Sequence, residues 1–234
     1  MKHRVLQVRC FLLLVLLIVP AYSISAQHNQ AKTWQVRWAV SSFLASRTPV
    51  IQLGLQKSIN SNWAISAEYG WSTYGMLDKK WYPDTVRENF TYQKFRAEVK
   101  HFTSITELSN NLKTHLYWSI EGVYMPERYA KQTDYFYRKG QQYDYYSSRI
   151  KSNVYATSFH IGAEWRFKQK LVLDTYAGLG PRIIYIKHHN TVFGYDPPDT
   201  GTKIRLFESR RDNTEGWHRT LHVALGFKLG YYIF

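Results

Sequence analysis

The chain has 234 residues, with 31 lysines and arginines against 17 aspartates and glutamates, and its formal net charge is +14. This length suits one domain or one barrel and excludes a large multidomain enzyme. A single cysteine excludes an internal disulfide and any metal site built from several thiolates.

The first 26 residues have the pattern of a secretory signal peptide. Three basic residues precede an unbroken apolar run over 11–19, and Pro20 and the small residues 23–26 follow it. The run is too short to cross a membrane as a helix. We expect cleavage to remove Cys10, to lower the net charge to +11 and to leave one domain over 27–234.

Alternation with a period of two residues dominates the remainder of the chain and predicts eight antiparallel strands. Apolar side chains occupy one face of each predicted strand, and polar or small side chains occupy the other. No later segment reaches the ~20 apolar residues of a membrane helix, so any membrane crossing is expected to use strands. The predicted strands are 34–41, 51–58, 63–72, 92–102, 116–124, 154–167, 171–180 and 217–234.

The predicted connections alternate in length along the chain. Segments 60–62, 103–115 and 168–170 form the shorter set, and 43–50, 73–91, 125–153 and 181–216 form the other set. The prolines of 27–234 lie in or at the edge of this second set, and proline cannot donate a hydrogen bond to a sheet. The pattern predicts an up-and-down antiparallel barrel with both termini on the short-turn side. A ten-stranded version arises if Lys203–Phe207 pairs within the last connection.

The tryptophans indicate which face of this barrel meets lipid. Seven of the eight occupy the apolar face, mostly near strand ends, as the aromatic girdles of membrane barrels require. The inverse arrangement, a soluble lipocalin-like carrier with its apolar face inside, has the same alternation and stays open. The predicted girdle consists of Trp34, Trp38, Trp63, Trp71, Trp118, Trp165 and Trp217.

The polar face carries nearly balanced charges, which a closed interior needs because an unpaired buried charge costs several kcal/mol. His160 shares this face as a polar filler. The predicted interior charge network comprises Glu68, Glu98, Glu121, Glu164 and Asp174 with Arg37, Arg96, Lys100, Arg166 and Lys228.

The signal-peptide pattern, the cysteine-free strands and the final GFKLGYYIF resemble the small outer-membrane β-barrel proteins, a group that includes the OmpA transmembrane domain, OmpX and the opacity proteins. This resemblance covers the chain after the signal peptide and rests on architecture. It implies a bacterial outer-membrane location, contact with outer-membrane lipid and lipopolysaccharide, and recognition of Tyr232 and Phe234 by the barrel-assembly machinery. Because Tyr232 and Phe234 share the polar face, either a bulge near the end or a reversed facing is expected.

Two side-chain groups have the composition of chemical sites. Ser158, His160 and Glu164 share one strand face and resemble the site of outer-membrane lipid A deacylases, but the order of serine and histidine is reversed, and four residues of strand separate His160 from Glu164 by ~13 Å. His188 and His189 with Asp196 and Asp199 resemble a metal site, although neighbouring histidines of a strand point to opposite sides. We therefore expect no catalytic residues, no bound metal and no cofactor.

The connection 125–153 is rich in tyrosine and in basic residues, a composition that suits an extracellular ligand such as an anionic sugar. Alternatively, the strands continue through it and the tyrosines form a packed hairpin. The predicted binding residues are Tyr129, Tyr135, Tyr137, Tyr143, Tyr145 and Tyr146.

The function expected from these features is that of a non-enzymatic envelope protein, either structural or binding glycans, host surfaces or lipopolysaccharide through its long loops. The alternatives are a lipid-modifying enzyme, a soluble periplasmic carrier and a narrow porin, although a charged eight-stranded interior conducts poorly. Export and the barrel architecture argue against nucleic acid as a partner, and contact with anionic lipid head groups explains the positive charge more simply.

Overall fold

A computed structural model of the protein describes residues 34–43, 48–73, 87–109, 112–167, 170–194 and 213–233. These residues form one sheet of eight antiparallel strands in sequence order, and β1 pairs with β8 to close the ring. Among them, no helix has the length and apolar character of a membrane span. The strands are β1 (Trp34–Trp38), β2 (Val50–Ser58), β3 (Trp63–Ser72), β4 (Glu88–Ser109), β5 (Leu112–Arg138), β6 (Gln141–Phe167), β7 (Leu171–Phe193) and β8 (Gly216–Tyr232), and a helical turn α1 spans Val40–Phe43.

The predicted all-β fold with eight antiparallel strands is confirmed, and the first strand is shorter than predicted. β1 ends at Trp38, and the chain then turns through α1. The hydroxyl of Ser42 donates to Gln52 Oε1 at 3.0 Å, so this turn faces into the ring. The signal-peptide segment, Lys203–Phe207 and Phe234 lie outside the described residues.

The prediction that 103–115 and 125–153 are loops is wrong over most of their length, and for 181–216 it is wrong over 181–193. β4 continues to Ser109, β5 and β6 continue through 125–153, and β7 continues to Phe193. The alternation of inward and outward side chains persists there, with tyrosine, serine and basic residues in place of aliphatic ones. Because this composition also suits loops, the sequence did not indicate the strands.

Two prolines that served as loop markers lie inside strands. Pro126 stands opposite Asn153, and Pro181 stands opposite Leu221. The β6–β7 ladder is interrupted at Pro181, between the pairs Ala156–Arg182 and Phe159–Leu179. The sheet therefore accommodates a residue without an N–H by omitting pairs locally.

The β5–β6 hairpin closes through the two residues Lys139 and Gly140. Their φ angles are 51° and 82°, and a two-residue turn with positive φ at both positions has the twist that antiparallel strands need. Each strand of the hairpin has 27 residues, or roughly 90 Å at ~3.3 Å per residue. The hairpin therefore projects well beyond β1, β2 and β3, which have 5 to 10 residues.

The apolar side chains face outward and the charged ones face inward. On β8, Val223 and Leu225 are 68% and 81% exposed, whereas Lys228 is 1% exposed. The ring thus has a polar interior and an apolar outer wall, the reverse of the usual arrangement in a globular protein.

Candidate functional site: a charged interior and a projecting hairpin

The interior of the ring contains the predicted charged residues in direct contact with one another. Five carboxylates meet four cations that are at most 6% exposed, and Arg166 joins from the short-turn end. This interior charge network comprises Glu68, Glu98, Glu121, Glu164, Asp174, Arg37, Arg96, Lys100, Lys228 and Arg166.

Asp174 is the acceptor for three donors. Arg37 and Lys100 both pair with its Oδ2, the lysine at 2.6 Å, and the Tyr117 hydroxyl donates to its Oδ1 at 2.6 Å. Lys100 Nζ also lies 2.9 Å from Glu164 Oε1. This part of the network is therefore neutralised by two carboxylates facing two cations.

The second part of the network is organised around Lys228. Its Nζ lies 2.8 Å from Glu68 Oε1 and 2.9 Å from Glu98 Oε2. Glu98 also accepts from Ser119 Oγ at 2.7 Å, and Glu68 accepts from Gln52 Nε2 at 2.6 Å. Neutral polar side chains thus share these carboxylates with the cations.

Arg96 and Arg166 occupy the two ends of the network. Arg96 Nε lies 2.9 Å from Glu121 Oε2, and its Nη1 donates to the Tyr176 hydroxyl at 3.1 Å. Arg166 Nη2 lies 3.5 Å from Glu164 Oε2.

His160 is buried against a glycine, and its surroundings differ from those of a catalytic triad. Ser158 Oγ and His160 Nε2 lie 2.8 Å apart, and both residues are at most 2% exposed. The carboxylates near the imidazole are those of Glu98 and Glu121, at 4.0 and 3.9 Å, and Glu164 instead pairs with cations. A Cβ at Gly178 would lie 1.8 Å from His160 Cδ2, so the imidazole packs directly against the β7 backbone on this side.

The predicted girdle tryptophans all lie on the outer face. Trp34, Trp38 and Trp217 are 38%, 42% and 64% exposed, and the other four are half-buried by their neighbours on the wall. Trp63 contacts Trp118 edge-on at 5.7 Å. Trp34, Trp63 and Trp165 belong to the short-turn end, and Trp71 and Trp217 belong to the opposite end.

Above the charge network, towards the long hairpin, the interior becomes apolar. Nine residues of β2, β4, β5, β6 and β7 form this layer. Such a layer separates the buried ions from the outer end of the ring. It consists of Val50, Phe90, Tyr92, Met125, Tyr129, Ile150, Val154, Ile184 and Ile186.

The six candidate tyrosines do not form one surface. Tyr129 and Tyr145 are 4% and 2% exposed and face inward, whereas Tyr137 and Tyr146 are 39% and 52% exposed. Tyr135 and Tyr143 are half-buried. The segment is therefore a packed hairpin, the alternative that the sequence left open, and ligand binding by its tyrosines stays a prediction.

An aromatic stack fixes the outer part of the hairpin to β7. The ring of Phe136, which is fully buried, stacks on His188 at 4.1 Å and on Tyr143 at 5.5 Å. Arg138 donates two hydrogen bonds to Glu215, at 2.5 and 2.9 Å. The His188 N–H also donates to Glu215 at 2.7 Å.

These contacts shift the protonation of the Glu215 carboxyl. Partial burial opposes ionisation, but the hydrogen bonds from Arg138 and from the His188 backbone hold the pKa of Glu215 below its usual value. The carboxylate therefore links β5, β7 and the start of β8 at neutral pH.

A pocket of about 250 Å³, lined mostly by residues with polar side chains, opens at the base of the projecting part of the hairpin. Side chains able to donate and to accept hydrogen bonds line it. Its volume is below the ~300–1,000 Å³ of drug-sized pockets. The lining consists of Glu88, Ala130, Lys131, Gln132, Ser147, Ser148, Arg149 and Asn190.

The predicted metal ligands are not brought together within the described ranges. His188 is 3% exposed and faces the interior, whereas His189 is turned to the other side, and Asp196 and Asp199 lie outside the described residues. Across the parts of the chain that the structure describes, no group of three histidines, cysteines or acidic residues has the arrangement of a metal site.

At the end of β8, neither predicted irregularity occurs up to Tyr232. The β7–β8 register continues without a shift to Leu171–Tyr231, and Arg166 lies 5.2 Å from the Tyr232 ring. Tyr232 therefore faces inward, as the alternation of β8 requires.

The sequence analysis missed the neutral members of the interior. Tyr117, Tyr176, Gln52, Gln56 and Ser119 each hydrogen-bond a network charge or a side chain beside it. The signal was present, since all five follow the inward alternation.

No protein-family model and no curated protein matches the chain.

Proposed function

We propose that the chain is a non-enzymatic outer-membrane β-barrel protein that resembles the small OmpA- and OmpX-like barrels. The ring spans the bilayer, and the projecting β5–β6 hairpin carries an extracellular binding surface. The observation that carries this proposal is the apolar outer wall around a charged interior, which lipid favours and water disfavours.

The height of the apolar wall supports this assignment. On β6, every outward residue from Tyr155 to Phe167 is uncharged. This stretch measures roughly 40 Å along the strand at ~3.3 Å per residue, and a strand tilt of ~40° reduces it to about 30 Å, the thickness of the hydrocarbon layer.

The packed interior argues against the other functions considered for this chain. A carrier needs an apolar cavity and a porin needs an open one, but ions and their partners fill the middle of this ring. A lipid-modifying enzyme needs its nucleophile within reach of lipid, whereas Ser158 is 2% exposed and faces inward.

The polar pocket is the part of the hairpin best suited to a ligand. Its amide, hydroxyl and charged groups match the hydrogen-bonding pattern of a sugar, and it stands beyond the apolar wall. We assign it a glycan-binding role.

An array of neutral and anionic oligosaccharides, probed with the purified full chain in detergent, tests this role. Gln132→Ala combined with Ser147→Ala should weaken glycan binding about tenfold, because two hydrogen-bonding groups of the pocket are lost. Gln141→Ala, at the tip of the hairpin, is the matched control and should bind as the wild type. Equal binding by both variants, or no binding by the wild type, would contradict the role.

A further inference from the structure

Three cations stand side by side on the outer wall of the ring. Arg128 of β5 is opposite Lys151 of β6, and Lys151 is opposite Lys187 of β7. All three are exposed. With neighbouring strands ~4.8 Å apart, they lie within about 10 Å of sheet. We call Arg128, Lys151 and Lys187 the cationic row.

Like charges that face each other across strands destabilise a sheet. No ion pair joins the cationic row to a carboxylate among the described residues. Glu127 precedes Arg128 but stands opposite the buried Tyr92, on the inward side of β5. Glu215 binds Arg138, and Glu88 accepts from Gln132. Partial burial lowers the pKa of the neighbouring His189, and the positive charges of Lys151 and Lys187 lower it further. The wall therefore concentrates positive charge that no residue in the described ranges neutralises.

The cationic row directly borders the aromatic part of the wall. Two residues nearer the short-turn end, ~7 Å along the strands, the outward residues of β7 and β8 are Tyr185 and Trp217, whose rings lie 4.8 Å apart. Below them, Tyr124 and Tyr155 stack at 5.1 Å. The outer wall directly next to the row is thus aromatic on the short-turn side, whereas Arg149 and His189 follow on the other side.

We propose that the cationic row binds the phosphorylated head group of a lipid of the surrounding leaflet, with its acyl chains against the aromatic wall. This inference rests on the proposed membrane location and adds a specific lipid site to it. Charge complementarity selects the phosphate, and the adjoining aromatic rings select a lipid over a soluble anion. Neutralising the row also removes the repulsion between its members.

Native mass spectrometry of the full chain in detergent, titrated with diphosphorylated lipid A, tests the site. Lys151→Gln combined with Lys187→Gln should weaken binding about 30-fold, since each lysine near a lipid surface contributes about fivefold. The matched control combines Lys57→Gln with Lys170→Gln at the short-turn end, and it should bind as the wild type. Dephosphorylated lipid A should bind the wild type and the lysine variant equally weakly.

The outcomes separate this inference from the proposed function. If both double variants bind diphosphorylated lipid A equally, the site is overturned while the membrane location stands. If millimolar inorganic phosphate displaces the lipid, the row is a soluble-anion site and the commitment to lipid is wrong. If the wild type does not insert into membranes, both proposals fail, and the mobility of an unheated sample on a gel shows this independently.

Discussion

At the residue scale, Asp174 shows how this interior tolerates so many charges. Removing an ion from water costs several kcal/mol, and only oppositely charged or hydrogen-bonding groups at close range offset that cost. Asp174 has Arg37, Lys100 and Tyr117 as partners. Each partner is itself buried, so a change at one position leaves others unsatisfied.

Asp174→Asn keeps the shape of the side chain and removes its charge. We expect the free energy of unfolding to fall by about 3 kcal/mol, because Arg37 and Lys100 keep their charges with one carboxylate fewer. Urea titration of the protein folded into lipid vesicles measures this change.

Glu88→Gln is the control for that substitution, because Glu88 is exposed and its only described hydrogen-bond partner is Gln132. Its effect should stay within about 0.5 kcal/mol. Similar small effects from both substitutions would show that the interior charges do not depend on one another.

At the element scale, the alternation of side chains predicted the facing of the strands but not their length. The inward positions of β3, β6 and β8 follow directly from which residues are polar. The strand ends do not, because tyrosine, serine and arginine suit both a loop and a strand beyond an apolar wall. The pairing of Phe136 with His188 depends on residues 52 positions apart, and no local pattern encodes such a contact.

The candidate site was predictable to a similar degree. Balanced charges on one face indicated an interior network, but the sequence could not say which carboxylate meets which cation. The spacing along the strand separated Glu164 from His160, and Glu164 pairs instead with Lys100. The approach of Glu98 and Glu121 to the imidazole arises from ring closure, which the sequence does not show.

The link between the hairpin and β8 should depend on pH through Glu215. Its pKa in the folded protein lies below the ~4.3 of an unfolded chain. The stabilisation is therefore present above about pH 4.3 and is lost as the pH falls through the folded pKa. Hydrogen exchange of the His188 amide, which donates to this carboxylate, reports on the link.

We expect the protection of the His188 amide to decrease on acidification from pH 6 to below pH 4. In Glu215→Gln, protection should be weaker at pH 6 and should change little with pH. The amide of Ile184, within the apolar layer of β7, is the internal control. Unchanged protection in Glu215→Gln at pH 6 would argue against the link.

At the scale of the whole molecule, the two ends of the ring differ in what they carry. The short-turn end contains the beginning of β1 and the end of β8, and the opposite end carries the projecting hairpin. Between them lies a predominantly apolar wall, which on β6 is uncharged over a height about equal to the thickness of a hydrocarbon layer. A membrane gives each of these three zones an environment that matches its chemistry.

The central claim is that this wall lies in the outer membrane, and the most direct test is membrane fractionation followed by a gel of heated and unheated samples. We predict that the protein is recovered in the outer-membrane fraction and that the unheated sample migrates differently, because a closed sheet resists detergent. Recovery as a soluble periplasmic protein, with the same mobility before and after heating, would contradict the account.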